Sequence, residues 1–139
     1  MEYLFDTYAL SELVAKRPNP HAVEALLALP REAWFLSSIT VGEIRRGIDQ
    51  SDPGKSRSFL ESWFQEHIRG IYLHKVIVFD VEEATAWGTL VATLRRKHLP
   101  TGVVDSMLAA TALVHGLTVV TRNESDFAHC GVPILNPWK

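Results

Sequence analysis

Short apolar runs alternate along the chain with longer stretches in which apolar residues recur every three or four positions. That alternation predicts an α/β fold on a mainly parallel sheet of four or five strands. Tyr3-Leu4-Phe5 reads as the first strand, ending at Asp6. Leu10, Leu13 and Val14 then share one helical face, and Val23, Leu26 and Leu27 mark a second helix that Pro30 ends. Trp34-Phe35-Leu36 is the second strand, after which Ser38 or Thr40 is placed to cap a helix with Val41, Ile44 and Ile48 facing the core. Phe59, Leu60, Trp63, Phe64 and Ile68 form a stripe at helical spacing, expected to be buried core. Val76-Ile77-Val78-Phe79 is the third strand, and Trp87, Leu90, Val91 and Leu94 mark the next helix. From Asp105 to Val114 the chain is apolar nearly all round, as a central buried helix requires, with Gly116 as its stop. Leu117 to Val120 gives the fourth strand and Val132 to Leu135 the fifth.

Length and composition narrow this to one domain spanning residues 1–139, with 47% hydrophobic and 22% charged residues. The turn-rich segment Ser51 to Ser56 is too short for an interdomain linker and reads as a loop. Fourteen Lys+Arg against sixteen Asp+Glu give a net charge of −2, so the chain cannot coat nucleic acid through global charge. Contact with nucleic acid would need local basic residues or metal ions held by acids. Cys130 is the only cysteine, which excludes an intrachain disulfide and cysteine-based zinc sites. The N-terminus has no signal-peptide pattern, and Asp105, His115 and Gly116 interrupt the most apolar region, so a cytoplasmic protein is expected.

Against this plan, certain acids fall at special places. Asp6 ends the first strand, and Glu43 lies in the first turns of the helix after the second. Asp105 opens the buried helix, and Asp126 follows the fourth strand. In an open parallel sheet, strand C-termini and helix N-termini share one rim, where ligands bind. Clustered carboxylates are unfavourable unless protons or cations neutralise them. Oxygen-only clusters suit Mg²⁺ or Mn²⁺, ions that also coordinate phosphate and acidify water. Hydrolysis of a phosphodiester fits such a site best. A plainer role stands beside it: Asp6, Asp105 and Asp126 each suit a helix cap or first turn, and Glu43 suits a solvated helix face.

The strings Leu4-Phe5-Asp6-Thr7, Ser37 through Gly47, Asp105 through Ala112 and Thr121 through Phe127 resemble the PIN-domain nucleases. They look most like the VapC/FitB-type branch, the toxins of toxin–antitoxin pairs, and the ending Val132 to Trp138 is similar too. The resemblance runs through the whole chain. It implies a three-layer α/β/α sandwich and metal-dependent endonucleolytic cleavage of RNA. By motif match it makes Asp6, Glu43, Asp105 and Asp126 the catalytic and metal-binding acids, with Mg²⁺ or Mn²⁺ as cofactor. Asn123 aligns with an assisting position. Thr7 and Thr121 are placed to bond either the acids, the phosphate or the local backbone. The resemblance also implies a cognate antitoxin, whose tail would cross the cleft, and a homodimer, for which the second and fourth helices offer apolar positions. One departure stands out: Asp6-Thr7-Tyr8 replaces the branch's usual Asp-Thr-Asn.

Among the basic residues, Arg122 is a phosphate-contact candidate and Arg45-Arg46 could steer RNA, while Arg95-Arg96-Lys97 suits helix-end stabilisation. The six histidines show no metal-protease spacing, and Cys130 suits packing. Two other functions remain open: a structure-specific DNA or flap nuclease on this fold, and a non-catalytic RNA-binding or antitoxin-sequestering module.

Overall fold

The computed structural model describes all residues, 1–139. Its five strands are β1 (Tyr3–Phe5), β2 (Trp34–Ser37), β3 (Val76–Ile77), β4 (Thr118–Val120) and β5 (Ile134–Leu135). They lie in the order β3-β2-β1-β4-β5, with every neighbouring pair parallel. The chain thus winds outward from β1 through β2 to β3, then returns to the other side of β1 for β4 and β5. This reversal makes the C-terminal ends of β1 and β4 a topological switch point, where open α/β sheets leave a crevice.

Seven α-helices cover the sheet: α1 (Thr7–Glu12), α2 (Pro20–Leu27), α3 (Ser38–Gln50), α4 (Lys55–Trp63), α5 (Val81–Arg96), α6 (Val103–His115) and α7 (Glu124–Phe127). Strand alternation decides which covers which face. Phe5, Trp34, Leu36 and Val120 point to one side, where they pack with Leu10, Leu26, Ile44 and Ile48 of α1–α3. Leu4 and Val119 point to the other, packing with Leu94, Leu108, Ala109, Ala112 and Phe127 of α5–α7. Two cores on opposite faces of one sheet give the expected three-layer sandwich. Trimming a fully buried side chain such as Leu108 to alanine would cost about 2–5 kcal/mol.

Local differences from the sequence reading have simple causes. Ser37, not Ser38 or Thr40, caps α3, its Oγ accepting from the Ile39 N–H at 3.0 Å. Ser38 instead accepts from the Phe79 N–H at 3.0 Å and pins the chain leaving β3. That strand is only Val76–Ile77, because β3 is an edge and Val78 has already turned to solvent. α1 stops at Glu12, leaving Leu13 as its cap and Val14 beyond it. The stripe after residue 59 is buried only at Phe64 and Ile68, in a π-helical turn (Phe64–Ile71) that continues α4 and shifts the helical period. Phe59 itself is exposed, contrary to its expected place in the core. Gly116 ends α6 in the left-handed region at φ 67°, where a side chain would be strained.

Candidate active site

At the switch point the backbone N–H of Asp6 donates to the Val120 carbonyl at 3.1 Å, extending the β1–β4 pairing by one residue. The chain then turns into α1, and Asp6 becomes its N-cap, with Oδ1 accepting from the Ala9 N–H at 2.8 Å. Its other oxygen, Oδ2, accepts from Thr121 Oγ at 2.6 Å, directly after β4. The plain reading of Asp6 as a helix cap therefore holds, and the cap places its carboxylate at the cleft. Capping holds a 4% exposed carboxylate rigidly at the sheet rim. Burial raises its pKa above the ordinary 3.8, partly offset by the Thr121 and Ala9 hydrogen bonds, and the nearby charge of Glu43 raises it further.

Glu43 comes from the second turn of α3 and is half-buried, so it faces the cleft and not open solvent. Thr7, the first residue of α1, donates its hydroxyl hydrogen bond to Glu43 Oε1. Arg46, one turn along α3, places Nη2 3.9 Å from Glu43 Oε2. Asp105 sits in the first turn of α6, which starts two residues earlier than the sequence suggested, at Val103. Its pKa is pushed from 3.8 up to about 6, first by burial, then by the charges of Asp126, Asp6 and Glu43, and by a hydrogen bond shared with Asp126. Asp126 lies within α7, and its carbonyl accepts from Thr101 Oγ at 2.9 Å, tying α7 to the loop before α6.

Asp6, Glu43 and Asp105 line one cleft of about 540 Å³ together with Thr7, Tyr8 and Arg46. Asp126 joins them through Asp105. Three acids thus share the cleft, with Asp126 beside Asp105, and as they stand no three of them form a group that could hold a metal ion. Like charges resist closer approach, and Asp6 and Glu43 already spend oxygens on Ala9, Thr121 and Thr7. The donor set still fits a hard dication, because it is all oxygen and the negative charges crowded around half-buried Asp105 are ones a cation would relieve.

The secondary candidates separate. Thr121 is fully buried and also accepts from the Asn123 N–H at 3.0 Å, so one hydroxyl links the last motif to Asp6. Asn123 and Arg122 are both exposed, and the Arg122 guanidinium lies over the Trp138 ring at 5.7 Å. Arg45 is not free to meet RNA: it bonds Asp49 and Glu61, each at 2.6 Å. Arg95 and Arg96 occupy the last turn of α5, where helix-end stabilisation explains them. Cys130 is buried among apolar side chains.

Two features escaped the sequence reading. An apolar groove of about 740 Å³ runs from Thr7 and Glu43 past Leu13, Val14 and Ile48 to Phe59 and Trp63. It forms between elements distant in sequence, which no local period reveals. The second is a buried carboxylate away from the cleft, Glu83, paired with His115 at 2.8 Å. Its Asp80-x-x-Glu83 capping spacing was the available signal.

The model of the PIN domain matches residues 3–132. The chain is 34% identical to the plasmid stability protein StbB of Pseudomonas syringae pv. tomato, covering 98% of each chain. It is 31% identical to the VapC ribonuclease Y4jK of Sinorhizobium fredii, covering 98% of this chain and 97% of that one. The crystal structure of FitAcB from Neisseria gonorrhoeae superposes with a TM-score of 0.92 at 31% identity, over 98% of each chain. The chain belongs to the PIN-domain family, in its VapC/FitB-type branch. No helix is long and apolar enough to cross a membrane.

Proposed function

We propose that this protein is a Mg²⁺- or Mn²⁺-dependent endoribonuclease and the toxin of a toxin–antitoxin pair. The observation that carries the reading is three acids from three segments in one cleft at the sheet's switch point, with Asp126 beside Asp105, whose pKa burial and these charges push up to about 6. A fold that needed those acids only as caps would have no reason to crowd them. The relative Y4jK is named a VapC ribonuclease, and FitB is named a toxin, which supports RNA as the substrate.

Asp6, Glu43, Asp105 and Asp126 would hold the cation. When bound, it supplies positive charge for the phosphate and makes water more acidic. The protein's own residues do the positioning. Thr121 and the Ala9 N–H fix the orientation of Asp6, and Thr7 fixes Glu43. Burial and the neighbouring carboxylates hold the Asp105 pKa well above the ordinary value, and positive charge in the cleft would favour its ionised form. The cleft opens onto the apolar groove, which suits the amphipathic tail of an antitoxin entering along α1, α3 and α4 toward the acids. Leu27 of α2 and Phe59 of α4 are exposed apolar positions for self-association, which light scattering would check.

The deciding experiment incubates the protein with single-stranded RNA, single-stranded DNA and flap DNA, each with Mg²⁺, Mn²⁺ or EDTA. RNA cleavage that needs the dication and vanishes in Asp105→Asn is the expected result. Selective flap cleavage would replace RNA with DNA as the substrate. RNA binding without cleavage under every condition would leave a binding module in place of an enzyme.

A further inference from the structure

Tyr8 stands where the resemblance implies asparagine, and its surroundings differ from those of every other aromatic residue in the chain. Most aromatic side chains are at least half-buried; only Tyr8, at 68%, and Phe59, at 57%, are exposed. Phe59 rims the apolar groove. Tyr72, by contrast, stacks near Trp34 and accepts a 3.0 Å hydrogen bond from Arg31. Tyr8 instead lines the acidic cleft, two residues after Asp6 and in the first turn of α1. Because Asp6 caps that turn, the Tyr8 backbone is fixed relative to the acids. The same cleft is lined by Arg46, whose side chain is 67% exposed.

Tyr8 thus offers a ring face, and Arg46 a cation, in the same cleft as the acids. A single-stranded polynucleotide matches both. Unstacked bases lie against tyrosine faces, and cations meet the neighbouring phosphates. We infer that Tyr8 and Arg46 form a nucleotide subsite beside the acids, with Tyr8 stacking on a base next to the cut and Arg46 contacting the adjoining phosphate. The inference rests on the RNA-cleaving reading and adds to it a base contact by Tyr8 and a phosphate contact by Arg46 next to the cut. A duplex keeps its bases stacked on each other and offers Tyr8 nothing.

The test compares Tyr8, Tyr8→Phe and Tyr8→Ala in an Asp105→Asn background with Mg²⁺, so that RNA binds without being consumed. The probes are a labelled oligoadenylate and an abasic oligomer carrying the same phosphates. Stacking by one base corresponds to roughly a tenfold or greater change in affinity. Tyr8→Ala is therefore expected to weaken oligoadenylate binding by about that factor, with Tyr8→Phe close to the parent and all three alike on the abasic oligomer. Arg46→Ala should weaken both oligomers and lower the salt dependence of binding. Equal oligoadenylate affinity for Tyr8 and Tyr8→Ala overturns the subsite while leaving wild-type cleavage, and so the nuclease, standing. An equal loss on the abasic oligomer overturns stacking as the contact. A parent that binds neither oligomer, with a wild type that cuts no RNA, overturns both readings. An Ala variant that loses only an antitoxin peptide assigns the ring to protein recognition instead and also overturns the subsite.

Discussion

Thr121 and Asp6 are 115 residues apart in sequence, yet a 2.6 Å hydrogen bond joins them at the junction of β4 and β1. The bond is buried, and it links the order of the strands to the orientation of the most buried acid.

Removing that hydroxyl at nearly constant volume isolates its effect. Thr121→Val leaves Asp6 Oδ2 buried without its donor, a loss of about 1–3 kcal/mol. It also removes the largest influence holding the Asp6 pKa down, so that pKa climbs further. RNA cleavage should fall most at the acidic end of the profile, whereas Thr121→Ser should stay near wild type. A pH–rate profile of the three proteins checks this, and identical profiles would deny the bond any role.

The raised pKa values of Asp105 and Asp6 make the metal-free protein less stable as pH rises. Between the ordinary Asp value of 3.8 and the folded value of about 6, the folded state binds more protons than the unfolded state. The stabilisation is complete below about pH 4 and lost by about pH 6. A shift of two units corresponds to about 3 kcal/mol for a shielded group, but Asp105 is partly exposed, so about 1 kcal/mol is expected after screening. In EDTA, melting temperature should fall by a few degrees between pH 4.5 and pH 7. Asp105→Asn should flatten that slope and melt higher than wild type at pH 7. A variant that melts lower than wild type at pH 7 would contradict this account.

Away from the cleft, Glu83 closes the first turn of α5 by accepting from the Asp80 N–H at 2.9 Å, and it also bonds His115 at the end of α6. The backbone hydrogen bond comes first in lowering its pKa, with the His115 contact adding to it. Glu83→Ala removes both contacts and should cost about 1–2 kcal/mol, as lost caps do. His115→Ala removes only one and should cost less. Chemical denaturation can rank the two variants. RNA cleavage by the folded fraction should be unchanged in both, because neither residue lines the cleft.

Local patterning made the sheet and its acids legible. Leu4 and Phe5 face opposite cores because strand alternation demands it, and Asp6 ends that strand in sequence as in space. The motif resemblance joined the four acids, whose convergence depends on strand order that periodicity alone does not give. What stayed hidden depends on neighbours distant in the chain. Phe59 continues a helical stripe but emerges at a groove because the following turn is π-helical. Arg45 and Arg46 look equivalent in sequence, yet Glu61 from α4 captures the first and leaves the second facing the cleft. The role of Tyr8 is illegible for the same reason, since exposure becomes visible only once α3 and α6 complete the cleft.

Metal binding should release protons, and the pH at which it does so identifies the acids involved. Without a cation, Asp105 is largely protonated below pH 6. A dication favours the ionised form, so binding near pH 6 must expel that proton, whereas binding at pH 8 has none to expel. Isothermal titration with Mn²⁺ in buffers of different ionisation heat would count the protons directly. Release should be roughly three-quarters of a proton at pH 5.5 and fall toward zero at pH 8, with apparent affinity increasing over the same interval. Asp105→Asn should sharply reduce the pH dependence, while Arg45→Lys, bound to Asp49 and Glu61, should preserve it. Proton release that persists unchanged in Asp105→Asn would move the titrating group elsewhere. Absence of Mn²⁺ binding across the whole range would remove the cation from the proposed chemistry and leave the four acids without a catalytic role.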